Sequence, residues 1–306
     1  MRVLITGGSG FIGRHLVRAL AGDEHQLCLL ARTPGVDAGN ISFIRWDPGD
    51  PASVRPHLAR FAPDACVHLA WTGIPDYSAT TSRRNLDLSI TLIDMLLSDT
   101  PCGRFVGAGT CMEYGRTQGE CVESDPIRTT SYIAWAKRAT HEYLQVQART
   151  RTLATYWLRL FYVYGPGQRA DSLLPTLVRS LADGDMPNIR NPFNAQDFVY
   201  VADVAEAMRL AVTTRAEPGI YNVGSGRTAT VLDMCRLVEE ILDVPVRHSE
   251  ALAARPVPPQ TTCFWGNPSK TIAALNWQAR HSLADGVRQQ VAAIFGERER
   301  GGEVPA

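Results

Sequence analysis

The chain has 306 residues, of which 45% are hydrophobic and 20% are charged, and this is the composition of an ordinary globular protein with a large core. Its 31 basic and 31 acidic residues cancel, so no global field draws the protein to nucleic acid or to an anionic membrane. Any anionic ligand must therefore be held by local groups.

The compartment is indicated by the N-terminus and by the cysteines. Residues 2–6 run straight into a strand pattern that leaves no room for a signal peptide, and no apolar stretch is long enough to span a bilayer. The seven cysteines show no Cys-x-x-Cys pair and no Cys/His metal spacing, which favours reduced thiols. We expect a cytoplasmic protein without a metal site.

Short apolar runs alternate with longer helix-like stretches along the first half of the chain. The runs lie at 3–5, 26–30, 66–70, 105–108 and 155–160, and the clearest helical stretches lie at 11–21 and 86–97. Such alternation predicts an α/β fold with a doubly wound parallel sheet.

A glycine-rich turn follows the first strand. It carries Gly7, Gly10 and Gly13 and opens an apolar helix, which is the context that makes a dinucleotide-binding fingerprint of the Rossmann type credible. The tight turn lets the backbone approach a pyrophosphate, whose charge rests on the N–H groups at the helix N-terminus. The turn residues expected at the cofactor are Gly7, Ser9, Gly10, Phe11, Ile12 and Gly13.

The end of the second strand bears on which nicotinamide cofactor is bound. An acidic residue at this point usually binds a free ribose 2′-hydroxyl, but the strand ends at Ala31 and Arg32. Because Arg32 can pair with a 2′-phosphate, we favour NADP and keep NAD as the alternative. Asp47, after the third strand, is expected at the adenine edge.

Glycine and proline at 164–167 mark where the chain leaves the first lobe. We predict a Rossmann domain over 1–165 that is rejoined by about 197–224. A smaller C-terminal α/β substrate lobe is expected from 166–196 and 225–296, and a flexible tail over 297–306.

Taken together, these features resemble the extended short-chain dehydrogenase/reductases, the NAD(P)-dependent nucleotide-sugar epimerases, dehydratases and reductases. The resemblance runs nearly from end to end and is far more specific for the superfamily than for a substrate. Beyond the glycine turn it rests on segments 68–70, 110–115, 132–137, 158–166, 197–205 and 221–226, together with Asn85 and Glu142.

The resemblance implies hydride transfer at a sugar carbon of a nucleotide sugar that is bound in the C-terminal lobe. It places Leu69, Ala70 and Tyr162 beside the cofactor. It also implies a homodimer through a four-helix bundle, built from helices around 82–97 and 131–148, each with an apolar stripe for a partner.

The same resemblance assigns a catalytic group of Thr110, Tyr132 and Lys137, in which Thr110 and Tyr132 also contact the substrate and Lys137 also holds the cofactor. In the family, a tyrosine four residues before the lysine exchanges a proton with the sugar oxygen. Here Ile133 holds that position, and Tyr132 is five residues before Lys137.

The spacing matters because residues four apart on a helix lie within about 40° of each other, whereas residues five apart differ by about 140°. Tyr132 reaches the site if it precedes the first helical turn or if a π-bulge absorbs one residue. Otherwise the acid/base is lost or is supplied by another group.

Substrate contacts also depart from the family pattern. Cys111 and Met112 stand where dehydratases carry an Asp-Glu pair, which argues against 4,6-dehydration. Gln196 replaces an arginine that usually contacts the diphosphate, while Arg255 retains another such position.

The leading hypothesis is an NADP-dependent reductase of a 4-keto-6-deoxy sugar nucleotide. A nucleotide-sugar 4-epimerase that passes through a transient keto-sugar is the first alternative. The second alternative, from another class, is a catalytically weakened dinucleotide-binding protein.

Overall fold

The computed structural model describes the backbone of residues 1–301 and the side chains of residues 1–296. The strands, in chain order, are β1 (Arg2–Thr6), β2 (Gln26–Ala31), β3 (Ile41–Arg45), β4 (Ala65–His68), β5 (Arg104–Thr110), β6 (Gln118–Cys121), β7 (Ala154–Leu160), β8 (Tyr162–Tyr164), β9 (Ala195–Gln196), β10 (Phe198–Tyr200), β11 (Gly219–Val223), β12 (Ala229–Thr230) and β13 (Cys263–Gly266).

The α-helices are α1 (Phe11–Ala21), α2 (Arg55–Phe61), α3 (Ala79–Asp99), α4 (Tyr132–Thr150), α5 (Leu173–Ala182), α6 (Val201–Thr213), α7 (Val231–Leu242), α8 (Arg247–Ala253), α9 (Ser269–Leu275) and α10 (Leu283–Gly301). Two short 3-10 helices cover Pro51–Val54 and Cys111–Tyr114.

The central sheet has seven parallel strands in the order β11-β7-β5-β4-β1-β2-β3. The chain runs outward from β1 to β3 and then crosses back to β4, so the direction of winding reverses between β1 and β4. In such sheets ligands bind outside the carboxyl ends of the strands at this point. The predicted doubly wound Rossmann sheet is confirmed.

Alternating residues of β1 bury against different helical layers. Val3 and Ile5 belong to one apolar cluster with α1 and α6, while Leu4 belongs to a second cluster with α2, α3 and α4. Burial on both faces explains why these strands read as continuous apolar runs. Helix α1 contributes Leu16 and Leu20 to the first cluster, and each buried leucine stabilises the fold by roughly 1.5–3 kcal/mol.

A third apolar cluster lies in the C-terminal part of the chain and joins α5, α7 and α10. Helix α7 begins with a capping box, in which the Thr230 and Asp233 side chains each bond the other residue's backbone N–H. A small sheet in the order β12-β9-β13-β6 borders this part.

Helix α10 continues to Gly301, so residues 297–301 of the predicted tail are helical, and residues 302–306 lie outside the described residues. Within the described chain, no helix combines the length and the apolarity that crossing a membrane requires.

Candidate active site

The glycine turn closes tightly against the end of β4. Gly7 has φ +69°, and a Cβ there would lie 2.8 Å from the backbone nitrogen of Ala70. A Cβ at Gly13 would lie 2.1 Å from the Gly7 carbonyl oxygen. A Cβ at Gly8 would instead meet a side-chain methyl of Leu29 at 2.9 Å. The close backbone approach at Gly7 and Gly13 therefore depends on the absence of a side chain.

Helix α1 begins after this turn with Gly10 as its N-cap. Gly10 offers no side-chain cap, and the first turn of the helix holds no acidic residue. The first amides of a helix have no partner within the helix, so this end can accept an anion.

A cavity of about 360 Å³ opens at the carboxyl ends of β1, β2 and β4. Ten of the twelve residues predicted to bind the cofactor line it: Gly7, Ser9, Gly10, Phe11, Ile12, Gly13, Arg32, Leu69, Ala70 and Lys137. Two tryptophans, Trp46 and Trp71, also line it, and the Nε1–H of each is buried without a hydrogen-bond partner. Unpaired amides and indole N–H groups fit a phosphate-bearing dinucleotide.

The other two predicted cofactor residues, Asp47 and Tyr162, do not line the cavity. Asp47 accepts a hydrogen bond from the Gly49 backbone N–H at 2.8 Å, because its short side chain caps its own turn. The ring of Tyr162 packs against Phe198 and Phe264, with centroids 6.1 and 6.0 Å away.

A buried hydrogen-bond chain forms the floor of the cavity. The Thr6 hydroxyl oxygen accepts from the backbone N–H groups of Leu69 and Ala70, and it lies 2.8 Å from Nδ1 of His68. The Nε2 atom of His68 lies 2.9 Å from the Ser89 hydroxyl, which donates to the Asn85 carbonyl. This order makes Nδ1 the acceptor and Nε2–H the donor. Burial lowers the pKa of His68 to about 3, so the imidazole is neutral.

Lys137 lies at the far end of the cavity. Its ammonium donates to the Ala108 carbonyl at the end of β5 and lies 5.0 Å from the centre of the Trp71 ring. Burial is the largest influence on this group and lowers its pKa to about 8, while the charge of Glu113 acts in the opposite direction.

The structure does not bring Tyr132 to Lys137. Tyr132 is the first residue of α4, after the Ser131 N-cap, and α4 has no π turn between 132 and 150. Tyr132 is 57% exposed and lines a separate groove with Arg83 and Trp135. Ile133, 8% exposed, lines the cavity instead. Tyr132 does not precede the first helical turn, and no π-bulge shifts the helix by one residue. The regular turn of the α-helix therefore places Ile133, and not Tyr132, on the face that lines the cavity.

Thr110 is held in place by a buried ion pair behind it. Its backbone N–H donates to Glu113 at 2.9 Å, and its hydroxyl oxygen accepts from the Met112 backbone N–H. Glu113 in turn pairs with Arg159 at 3.0 Å, and both side chains are fully buried. This ion pair anchors the loop that presents Thr110.

None of the residues predicted at the substrate, Thr110, Tyr132 and Arg255, lines the cofactor cavity. The Arg255 guanidinium donates to the Ile189 carbonyl at 2.7 Å in the C-terminal part of the chain. Cys111 is buried, and burial raises the pKa of its thiol, so it is a poor acid.

The sequence interpretation missed several cavity residues, chiefly Trp46, Trp71, Asn85 and Ile133. The position of Ile133, four residues before Lys137, indicates that its side chain lies on the same face of the helix as Lys137. Trp71 directly follows the segment 68–70, but an aromatic residue after a strand is also common in cores.

The model of the NAD dependent epimerase/dehydratase family matches residues 3–224. The chain belongs to this family. Membership confirms the expected superfamily and makes the chain an enzyme. A dTDP-6-deoxy-L-talose 4-dehydrogenase (NAD(P)(+)) from Kitasatospora kifunensis is 30% identical to the present chain, and the match covers 94% of each chain.

Two further relatives show the range of this family. A dTDP-glucose 4,6-dehydratase from Actinoplanes is 27% identical over 95% of this chain and 97% of its own. The solved structure of MoeE5 in complex with UDP-glucuronic acid and NAD is 25% identical, with a TM-score of 0.83, and the match covers 97% of this chain and 100% of MoeE5. NAD(P) dependence is therefore supported, and the prediction of NADP in particular is not confirmed.

Proposed function

We propose that this enzyme is an NADP-dependent reductase of a 4-keto-6-deoxy sugar nucleotide. When bound, the reduced nicotinamide supplies a hydride to the keto carbon. The observation that carries the proposal is the cavity, which joins the glycine turn at one end to the Lys137 ammonium at the other. The relative named as a 6-deoxy-talose 4-dehydrogenase supports position 4 of a 6-deoxyhexose as the site of chemistry.

Reduction fits the groups at this site better than dehydration. Removing a sugar hydroxyl as water needs an acid at the leaving oxygen, and the buried Cys111 thiol and the Met112 thioether are unsuited to that role. Reduction needs a proton only at the carbonyl oxygen, where Thr110 supplies a polarising hydroxyl in our proposal.

NADP is proposed on the strength of Arg32. It lines the cavity at the end of β2, it is exposed, and no carboxylate lies beside it in the sequence to bind a free 2′-hydroxyl. A guanidinium matches the oxygens of a 2′-phosphate. NAD remains the alternative, as in the MoeE5 complex.

The sugar nucleotide is proposed to bind in a lobe formed by residues 166–196 and 225–296, with Arg255 on its diphosphate. Arg255 already donates one N–H to Ile189, which fixes the guanidinium while leaving other donors for an anion.

The test is turnover on a panel of keto-sugar nucleotides with NADPH and with NADH. We expect loss of reduced cofactor equal to the product formed, and faster turnover with NADPH. Conversion of a sugar nucleotide without net loss of cofactor would assign the epimerase alternative. Cofactor binding without any turnover would favour the non-catalytic alternative.

We also propose a cytoplasmic homodimer through α3 and α4. These helices pack on each other, and α4 exposes Tyr132, Trp135 and Val146 at 57%, 41% and 58%. An exposed apolar stripe of this kind is suited to a second copy. Light scattering should give twice the chain mass for the native protein and the chain mass for Trp135→Glu. A native monomer at all concentrations would contradict the dimer.

A further inference from the structure

The position that faces Lys137 along α4 holds a side chain without proton chemistry. Ile133 lies one helical turn before Lys137, lines the cavity and is 8% exposed. An alkyl group neither gives nor takes a proton. We propose that Lys137 itself donates the proton to the substrate oxygen, a role that rests on the reductase function proposed above.

The surroundings of Lys137 leave its ammonium free for this task. One N–H is used by the Ala108 carbonyl, and the Trp71 ring lies beside the charge. Among the described residues, no carboxylate lies within ion-pair distance of Lys137. Because an ammonium has three N–H bonds, two remain for a ligand in the cavity.

The charged groups that face Lys137 come from several elements. Glu113, in the 3-10 helix after β5, favours the charged ammonium, although Arg159 neutralises much of its field. His68, at the end of β4, is neutral, and the Lys137 charge helps to keep it so. Burial dominates and gives Lys137 a pKa of about 8, so it is mostly protonated at neutral pH yet gives up its proton readily.

Other protic groups near the cavity are less suited. Tyr132 points to a different groove. His68 is fixed between Thr6 and Ser89 with its one N–H already donated. Tyr162 packs between aromatic rings outside the cavity, and burial raises the pKa of its phenol.

The proton balance is simple. The carbonyl oxygen that receives the electron pair of the C=O bond takes one proton from the Lys137 ammonium, and an O–H bond forms as an N–H bond breaks. The neutral amine then regains a proton from water. Lys137 is therefore required in its protonated form, and reduction should slow as pH rises through its pKa.

The small number of lysines in the chain allows the titration of Lys137 to be observed directly. The sequence contains only two lysines, Lys137 and Lys270, and Lys270 is exposed on α9. Protein labelled with carbon-13 at the lysine ε-carbon should therefore give two resonances, assigned by Lys270→Arg. We expect the Lys137 resonance to titrate near pH 8 in the intact protein without cofactor. A midpoint at the ordinary lysine value of 10.5 would overturn the proposal, whatever the substrate.

The activity arm compares two matched variants. Lys137→Arg keeps the positive charge but does not release a proton near neutral pH, so kcat should fall by about two to four orders of magnitude at saturating NADPH. Saturation with NADPH separates this loss from any weaker binding of the cofactor. Tyr132→Phe removes the displaced phenol and should retain turnover within about twofold. Loss of turnover in Tyr132→Phe, or its retention in Lys137→Arg, would refute Lys137 as the donor.

The two proposals fail in different ways. If the native enzyme consumes no cofactor with any keto-sugar, the reductase assignment fails, and the Lys137 midpoint still shows whether the ammonium can release its proton near neutral pH. If reduction proceeds but its rate does not fall as the pH rises through the measured Lys137 midpoint, the reductase function is supported and Lys137 is not the proton donor.

Discussion

The two ends of the cofactor cavity contrast in how they are built. At the glycine end, the site is made of backbone: the N–H groups of α1 and the close approach of Gly7 and Gly13. At the α4 end, the site is made of side chains whose direction depends on helix phase, and a shift of one residue exchanges Tyr132 for Ile133. A motif in the sequence specifies the first kind of site well and the second kind only if the register is exact.

The largest effect is expected at the α4 end, from Glu113→Ala. The substitution leaves the buried Arg159 guanidinium without its partner, and breaking a buried ion pair costs about 3–5 kcal/mol. Glu142→Ala is the matched control, because its pair with Arg138 is exposed and contributes about 0.3–0.5 kcal/mol. Urea unfolding measures both. Equal losses of stability would show that burial of the Glu113 pair is unimportant.

At the glycine end, Gly13→Ala should reduce stability by about 3 kcal/mol, the upper part of the range for overpacking, and weaken dinucleotide binding. Its Cβ would collide with the Gly7 carbonyl at 2.1 Å, so the turn must move. Gly22→Ala, where nothing lies within 4 Å of the added Cβ, is the control and should bind cofactor normally. Normal binding by Gly13→Ala would mean that the turn does not hold the pyrophosphate.

The smallest effect is expected from Arg32→Ala. Arg32 is exposed, so loss of its contact with a 2′-phosphate should weaken NADP by about tenfold, near the low end for a charge-assisted hydrogen bond. Affinity for NAD should stay within about twofold, and fluorescence titration measures both. An equal loss for the two cofactors would remove Arg32 from cofactor selection.

The contrast between the backbone end and the side-chain end of the cavity also explains which parts of the fold and the site could be predicted from the sequence. The sheet and the six turn residues follow from apolar runs and glycine spacing, because few sequences satisfy those geometries. Arg32 follows from its place at the end of the second strand, whereas Leu69, Ala70 and Lys137 were expected only from the family resemblance. Asp47 and Tyr162 do not line the cavity, because the Asp47 carboxylate caps its own turn and aromatic rings pack against Tyr162. The position of Tyr132 depended on where α4 begins, and sequence patterns locate helix boundaries only to within a few residues.

The difference between the obstacles at Gly7 and Gly8 has a consequence for how this turn can evolve. A side chain at Gly7 would meet the backbone of residue 70, which no second mutation can remove, whereas one at Gly8 would meet only the Leu29 side chain. Substitution at position 8 is therefore compensable by a smaller residue at position 29, and relatives of this enzyme should show these two positions changing together. Position 7 has no such partner and should stay glycine wherever the turn is kept.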